Sequence, residues 1–256
     1  MVRLGKVGTS MAMAALLGGA LAGCTAADRS KAGAQASAAA AQAGSAAKAV
    51  VADARDIQPS ELQVILDKAR ATVSEAQRDP AFGASPQLLR EARAIVVVPD
   101  AVRAALVLGG QGGQGVMLAR TANGGWSQPA FVTLAAASAG PQIGVQSADI
   151  VIFALSERAY QGLIQNQIKF GAEAGLTAIT LGSTTELGST PKLDADVIVW
   201  AKSQGAYAGL TVEGSLINVR EEANRAFYGR PVTTAEILRG GVTNPAANPL
   251  RQALPR

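Results

Sequence analysis

Short runs of β-branched and apolar residues, separated by glycine-rich stretches, constrain the fold of this chain most strongly. The clearest run covers residues 94–98 and stops at Pro99. Similar runs lie at 104–108, 116–120, 130–134, 149–155, 194–201, 208–212 and 215–219. Short strands at this density are typical of antiparallel sheets. Asn123-Gly124 is the strongest hairpin signal, between the strand that starts at Val116 and the one after Trp126.

Helical patterns accompany these strands. Apolar residues at helical spacing predict an amphipathic helix over 60–77, with Ser60 and Gln63 placed as a capping box. Further helices are predicted from Ser85-Pro86, over 156–170 with Ser156 as its cap, over 220–228, and from a cap at Thr234. The sequence therefore predicts an α+β fold, in which an antiparallel β-sheet system, a barrel or a sandwich, is decorated by helices.

The single cysteine, Cys24, ends a run of Leu-Ala-Gly-Cys after a short segment that is basic at its start and apolar over about 7–21. This is the layout of a secretory leader. A cysteine at the cut is typical of bacterial lipoproteins, so we expect residues 1–23 to be a signal peptide and Cys24 to carry lipid such as palmitate. Such a chain is anchored to a membrane and does not span it.

The remaining chain divides by composition. Residues 24–56 are dominated by alanine and are interpreted as a tether, since they have no apolar stripe to pack against a core. Residues 57–243 form the predicted domain, and 244–256, with three prolines, are expected to be a loose tail. Thr25 follows the modified cysteine, which by analogy with enteric sorting predicts the outer membrane of the cell envelope, facing the periplasm.

Charge and residue usage exclude several functions. The net charge is only +4, from 23 basic and 19 acidic residues. This small excess does not indicate a nucleic-acid-binding surface. The chain has no histidine, and its one cysteine is expected to be acylated, so imidazole, thiolate and zinc chemistry are excluded. We predict no enzyme activity, no metal and no cofactor. One alternative is not excluded: a hydrolase that uses a carboxylate pair or a Ser-Lys dyad. Its carboxylates could come, for example, from Asp149, Asp194, Asp196 and Glu213.

Residues 110–115 match the pattern G-x-G-x-x-G of dinucleotide sites. Such a site needs a helix after the last glycine and an acid about twenty residues later. Residues 116–118 have the character of a strand, and the chain near 135 holds only alanines. We therefore predict a connection between strands where two backbones pass closely, and no nucleotide partner.

Several ordered motifs carry a resemblance to a known family. They are AIVVVP at 94–99, GGQGGQGV at 109–116, WSQPAF at 126–131, GPQIG at 140–144, DIVI at 149–152, GAYAGL at 205–210, EGS at 213–215, and Asn224 followed by FYG at 227–229. Over about 60–240 the chain resembles the SYLF lipid-binding domain, found in bacterial lipoproteins and in eukaryotic membrane-associated and actin-associated proteins. The resemblance implies binding of anionic phospholipids, with residues near the first helix of the domain taking part.

A phospholipid membrane is accordingly the expected partner, and envelope proteins are further candidates. Basic residues gain about 1 kcal/mol each near an anionic surface. The candidate headgroup ligands precede or bracket the first strand; they are Lys48, Arg55, Lys68, Arg70, Arg90, Arg93 and Arg103. A protein-binding scaffold of the cell envelope, with lipid serving only as the anchor, is the alternative. The aromatic residues Trp126, Phe131, Trp200, Tyr207, Phe227 and Tyr228 are interpreted as packing residues.

Overall fold

The computed structural model describes residues 57–79, 85–105, 108–139, 144–165, 178–182, 195–204 and 215–255. All of them belong to one compact unit, Ala43–Arg256. Its strands are β1 (Ala94–Ala105), β2 (Leu108–Ala119), β3 (Ala130–Ala139), β4 (Gly144–Ala154), β5 (Ala178–Gly182), β6 (Val197–Gln204) and β7 (Ser215–Val219). Its α-helices are α1 (Pro59–Arg78), α2 (Ser85–Glu91), α3 (Glu157–Ile164), α4 (Glu221–Tyr228), α5 (Thr234–Leu238) and α6 (Asn248–Ala253).

The strands form one seven-stranded sheet in the order β5-β6-β4-β1-β2-β3-β7. Neighbours are antiparallel except β5 and β6, which run parallel. The expected α+β class with an antiparallel sheet is confirmed. Within the described residues, helices cover the faces of this single sheet, so the second sheet of a sandwich is not found there. No helix in the same part of the chain combines the length and the apolar character needed to cross a bilayer.

The sheet buries apolar side chains on both faces. The face that we call the α1 face packs Ile95, Val97 and Phe131 against Leu62 and Leu66 of α1 and against residues of α2 and α6. The face that we call the α3 face packs the alternate residues of the same strands, including Val96 and Val98, against α3 and α5. This alternation explains why the strands are apolar throughout, since both of their sides are covered.

Helix α1 begins one residue before the predicted start. Its N-cap is Gln58, without a side-chain cap, and Pro59 occupies the first turn. The predicted capping box of Ser60 and Gln63 is therefore wrong, because proline at the first helical position already supplies the start. Two shorter helices are capped by side chains: Ser156 at α3, as predicted, and Thr233, one residue before the predicted Thr234, at α5.

A bulge in β1 changes which side chains face each side of the sheet. The pairing of β1 shifts between Val97 and Val102 on the β2 side and between Val98 and Ala101 on the β4 side. Asp100, inside the bulge, has a positive φ of 48° and donates its N–H to Asp149 Oδ1 at 3.0 Å. One extra residue reverses the alternation. Ala101 therefore joins Val98 on the α3 face, and Val102 turns to the α1 face.

The glycine run lies inside β2 and not between two strands, so the predicted connection is wrong. The predicted strand over 104–108 is likewise absent, since β1 ends at Ala105 and β2 begins at Leu108. The predicted close approach of backbones is confirmed. A Cβ at Gly115 would lie 2.1 Å from the Val97 carbonyl oxygen, and one at Gly113 would lie 2.6 Å from Val98 Cγ1. The glycines let β1 fold tightly over β2 at its bulge.

The Asn123-Gly124 turn is confirmed, with Arg120 bridged to Trp126 and Gly124 at a φ of 74°. The C-terminal segment, in contrast, is not the expected loose tail. Pro245–Ala247 forms a 3-10 turn, and α6 follows at once. Leu250 and Leu254 are 1% and 4% exposed. Four residues apart, they bury one apolar stripe, and Pro245 and Pro249 occupy first-turn positions where they do not break a helix.

Candidate functional site

The predicted headgroup ligands are placed unequally. Cys24, Lys48 and Arg55 lie outside the described residues. Arg103 pairs with Gln111 in the backbone of β1, but its side chain is also outside what the structure describes. Four candidates can therefore be placed, and they are Lys68, Arg70, Arg90 and Arg93.

Two of these cations are paired with carboxylates. Lys68 Nζ on α1 donates to Asp100 Oδ2 in the β1 bulge at 2.8 Å. Arg93 Nη1 donates to Glu157 Oε2 in the first turn of α3, also at 2.8 Å. Both pairs are about half exposed. Exposed pairs add little stability, but each partner cancels much of the positive potential that a headgroup would sense.

The other two cations are unpaired within the described part of the chain. Arg70 on α1 and Arg90 on α2 are exposed, and neither makes a hydrogen bond or an ion pair to another described residue. Arg70 projects from the flank of α1 that carries Gln77, whose amide donates to Ala253 O at 2.9 Å. Arg90 lies one residue after buried Leu89. Among the four candidates that can be placed, these two guanidinium groups have no carboxylate partner in the described part of the chain, so they remain available to an anion.

The opposite flank of α1 carries a network of charged groups. Lys202 of β6 donates to Glu75, and Trp200 Nε1 donates to Asp79 Oδ2 at 3.0 Å. Asp149 is the cross-strand neighbour of Lys202. The pKa of Lys202 is raised mainly by its hydrogen bond to Glu75, and the negative charges of Glu75, Asp79 and Asp149 raise it further. Burial lowers this pKa, but by less than the hydrogen bond raises it. Because carboxylates outnumber lysines here, this flank is acidic.

This network was not predicted from the sequence, although the sequence contains part of its pattern. Lys68, Glu75 and Asp79 recur at intervals of seven and four residues, which places them on one flank of a helix. Their partners come from strands that are 32 to 127 residues away in sequence. Only the fold could show that these strands lie beside the helix.

The C-terminus is held by a second polar cluster at the β2–β3 hairpin. Trp126 Nε1 and Arg120 Nη1 both donate to the Pro255 carbonyl oxygen, at 2.8 and 3.1 Å. The Arg120 guanidinium lies 4.3 Å from the centre of the Trp126 ring and donates to Leu89 O at 2.5 Å. Partial burial lowers the pKa of Arg120. The arginine is thus committed to structure and not to a ligand.

Comparison with known proteins identifies the domain. The sequence model of the family described as "Ysc84: Las17-binding protein actin regulator" matches residues 135–256. The chain contains a Ysc84/SYLF family domain. The resemblance to the SYLF domain is thereby confirmed, and the matched region runs from the middle of β3 through α6.

Curated relatives share the Ysc84/SYLF domain. Protein YSC84 of Saccharomyces cerevisiae is 35% identical over 181 residues, covering 68% of this chain and 38% of the yeast protein. LAS seventeen-binding protein 3 of the same species is 32% identical over 194 residues, covering 73% and 42%. SH3 domain-containing YSC84-like protein 1 of Bos taurus is 29% identical over 160 residues, covering 62% and 47%. The chain spans less than half the length of each of these relatives.

Most aromatic residues of the Ysc84/SYLF domain pack in its core, as predicted. Trp126, Phe131 and Trp200 are 3% exposed or less. Phe227 meets the Phe131 ring edge-on at a centroid distance of 5.2 Å, and the Tyr228 hydroxyl donates to Pro129 O at 2.7 Å. Tyr207 lies outside the described residues.

The described residues of the Ysc84/SYLF domain hold no group of three or more potential metal ligands. An open pocket of about 280 Å³ lies beside Tyr228 and Arg230, between the ends of α4 and α5. It is small for a ligand site, and Arg230, which lines it, forms an ion pair with Glu236. Five buried side-chain polar atoms have no hydrogen-bond partner in the described part of the chain, and they are Gln111 Nε2, Arg120 Nε, Gln128 Oε1, Ser215 Oγ and Asn224 Nδ2.

Proposed function

We propose that this chain is a lipid-anchored protein of the cell envelope whose Ysc84/SYLF domain binds the anionic surface of a phospholipid membrane. The observation that carries the proposal is the pair of exposed guanidinium groups of Arg70 on α1 and Arg90 on α2, which have no partner among the residues that the structure describes. Arginine is well suited to phosphate because its planar fork of donors can bond two oxygens. In this proposal the leader and Cys24 provide the anchor, and Thr25 after the cysteine favours the outer membrane, on its periplasmic side.

Weak headgroup contacts suffice for an anchored domain. An acyl anchor at Cys24 keeps the domain at high local concentration near the surface. Each basic residue near an anionic leaflet contributes about 1 kcal/mol. Arg70 and Arg90 together therefore contribute about 2 kcal/mol, or about 30-fold in membrane partitioning. The attraction acts only within a Debye length of about 8 Å at physiological salt.

Vesicle binding by the unacylated chain tests the proposal. The full chain carrying Cys24→Ser is mixed with vesicles of phosphatidylcholine, with or without a third of phosphatidylglycerol, and the bound fraction is measured by sedimentation. We expect salt-sensitive binding to the anionic vesicles only. The double variant Arg70→Gln/Arg90→Gln should bind about 30-fold more weakly.

The matched control is Arg225→Gln/Arg239→Gln, which removes the same charge from exposed positions of α4 and the end of α5. It should bind nearly as well as the parent. Equal losses in both double variants would mean that only net charge matters. No binding to anionic vesicles at low salt would contradict the proposal.

A protein-binding scaffold is the second candidate function. The names of relatives favour it, since one is called a LAS seventeen-binding protein and the family is described as an actin regulator. In that case the domain would bind envelope proteins, and the lipid would serve only as its anchor. Absence of vesicle binding, together with a protein partner cross-linked near the domain in the native envelope, would support this alternative.

A further inference from the structure

The end of α2, which carries Arg90, is held by the side chain of Arg120. The last four carbonyl groups of a helix have no partner within the helix. One of these groups, Leu89 O, accepts a hydrogen bond from Arg120 Nη2 at 2.5 Å. Leu88 and Leu89 are buried, but apolar burial has no directional preference, whereas a hydrogen bond does. Arg120 therefore fixes the orientation of the last turn of α2, next to Arg90.

The same guanidinium group also bonds the C-terminal strap, which we define as residues 248–255. Arg120 Nη1 donates to Pro255 O at 3.1 Å, and Trp126 Nε1 donates to the same oxygen at 2.8 Å. Arg251 Nε of the strap donates in return to Trp126 O at 3.0 Å. The Arg120 guanidinium also lies 4.3 Å from the centre of the Trp126 ring, within the range of a cation–π contact. Arg120 thus joins the end of α2 to the strap.

The strap is also bonded to α1, which carries Arg70. Gln77 Nε2 donates to Ala253 O at 2.9 Å, two residues before Pro255. Gln77 and Arg70 lie on the same flank of α1, because seven residues make about two helical turns. Buried leucines of the strap hold it against the core of the α1 face. Hydrogen bonds of 3.1 Å or shorter therefore connect α1 to the strap and the strap, through Arg120, to α2.

A fixed spacing between the two arginines favours their joint contact with anionic headgroups. Arg70 and Arg90 lie on different helices, so their relative position depends on how these helices are held. If the two helices moved independently, the order lost on binding would offset part of the electrostatic attraction. When the helices are held together, the first contact places the second arginine at high effective concentration near the surface.

We propose that Arg120 is a positioning residue of the membrane-binding surface, which holds Arg90 in a fixed place relative to Arg70 through Leu89 O and Pro255 O. Arg120 does not itself contact the lipid. Its two Nη groups donate to backbone carbonyl groups, and its Nε is buried. The inference rests on the proposed binding of anionic membranes, and it adds the contacts that hold the two arginines at one spacing.

A double-mutant cycle tests the positioning role. The parent is the full chain carrying Cys24→Ser, and its binding to vesicles with a third of phosphatidylglycerol is measured at a temperature at which every variant is folded. In the parent, Arg90→Gln should weaken binding about fivefold. In the Arg120→Gln background the same change should weaken binding less than about twofold, because Arg90 is no longer held in place. Arg70→Gln should weaken binding about fivefold in both backgrounds, since Arg120 does not hold α1 directly.

The variant Arg120→Lys separates the geometry of the guanidinium from its charge. Lysine keeps the positive charge, but its compact ammonium cannot span Leu89 O and Pro255 O as the two arms of a guanidinium do. We expect this variant to lose the coupling to Arg90 as Arg120→Gln does. Arg225→Gln, at an exposed position of α4, is the matched control for the loss of one charge, and it should change binding less than about twofold in each background. If Arg120→Gln fails to fold, Arg120→Lys takes its place in the cycle.

Distances between spin labels give a second measurement, which needs no membrane. Because Cys24 is the only cysteine of the chain, Ala71→Cys/Gln87→Cys in the parent places one label on α1 and one on α2, both at exposed positions. Double electron–electron resonance should give a narrow distribution of distances in the parent and a broader one in Arg120→Gln and Arg120→Lys. A variant that only lowered the melting temperature would keep the narrow distribution.

The outcomes separate this inference from the proposed function. Additive effects of Arg90→Gln and Arg120→Gln, or an unchanged distribution of distances, would overturn the positioning role and leave membrane binding intact. A full fivefold effect of Arg90→Gln in the Arg120→Lys background would show that only the charge of Arg120 matters, and would also overturn it. Absence of binding by the parent would overturn the proposed function, and this inference with it.

Discussion

Replacement of Gly115 by alanine tests the packing of β1 on β2 at the centre of the sheet. The added Cβ would lie 2.1 Å from the Val97 carbonyl oxygen and 3.0 Å from Val98 Cα. An ordinary contact between carbon and carbonyl oxygen is about 3.3 Å or longer, so the two strands would have to separate by about 1.2 Å. The obstacle is the backbone of β1, which is paired with β2 and β4, so no side chain can rotate away to make room.

Overpacking a core costs about 1–3 kcal/mol and more where the surroundings cannot relax. We therefore expect Gly115→Ala to lower the free energy of unfolding by at least about 3 kcal/mol. Urea denaturation followed by circular dichroism measures the change. Gly125→Ala is the control, because its nearest neighbour would be Thr121 Oγ1 at 3.7 Å, and it should change stability by less than about 0.5 kcal/mol. A loss below about 1 kcal/mol for Gly115→Ala would refute the close approach of the strands.

Four further predictions concern the C-terminus and buried polar groups. Trp126→Phe keeps a ring but loses the bond to Pro255 O, so urea unfolding should show a loss of about 1 kcal/mol. Deletion of 244–256 removes two buried leucines and should cost about 4 kcal/mol in the same assay, where a loose tail would cost almost nothing. Ser215→Ala removes a buried hydroxyl without a partner among the described residues, so the melting temperature should stay equal or rise. Burial raises the pKa of Tyr228 above its usual 10.0, so its contribution to stability is present below pH 10 and lost as pH rises further. The melting temperature should therefore fall less steeply above pH 10 in Tyr228→Phe than in the parent.

The α+β class could be predicted because its signals are local. Runs of β-branched residues predict the strands, and Asn123-Gly124 predicts the hairpin, because neither signal depends on the position of the strands in the sheet. The glycine run at 110–115 also indicated a close approach of backbones correctly. Its position inside one strand was not predicted, because pairing of glycine-rich strands is set by neighbouring strands and not by the glycines themselves.

Features that depend on distant partners could not be predicted. In the bulge of β1, the Asp100 N–H is hydrogen-bonded to Asp149, which is 49 residues away in sequence. The pairing of Lys68 with Asp100 and of Arg93 with Glu157 joins residues 32 and 64 positions apart. Charge patterns within one segment identify candidate ligands, but only the fold shows which of them are paired with carboxylates. Arg70 and Arg90 could not be separated from the other candidates by sequence.

Lipidation of Cys24 is the central claim of the proposed function, because it determines where the domain can act. Intact-mass spectrometry of the protein extracted from membranes of its native host tests it most directly. We expect a chain that begins at Cys24 and carries the added mass of a diacylglyceryl group and a further acyl chain. A mass that matches an unmodified thiol, or a chain that begins at another residue, would contradict it.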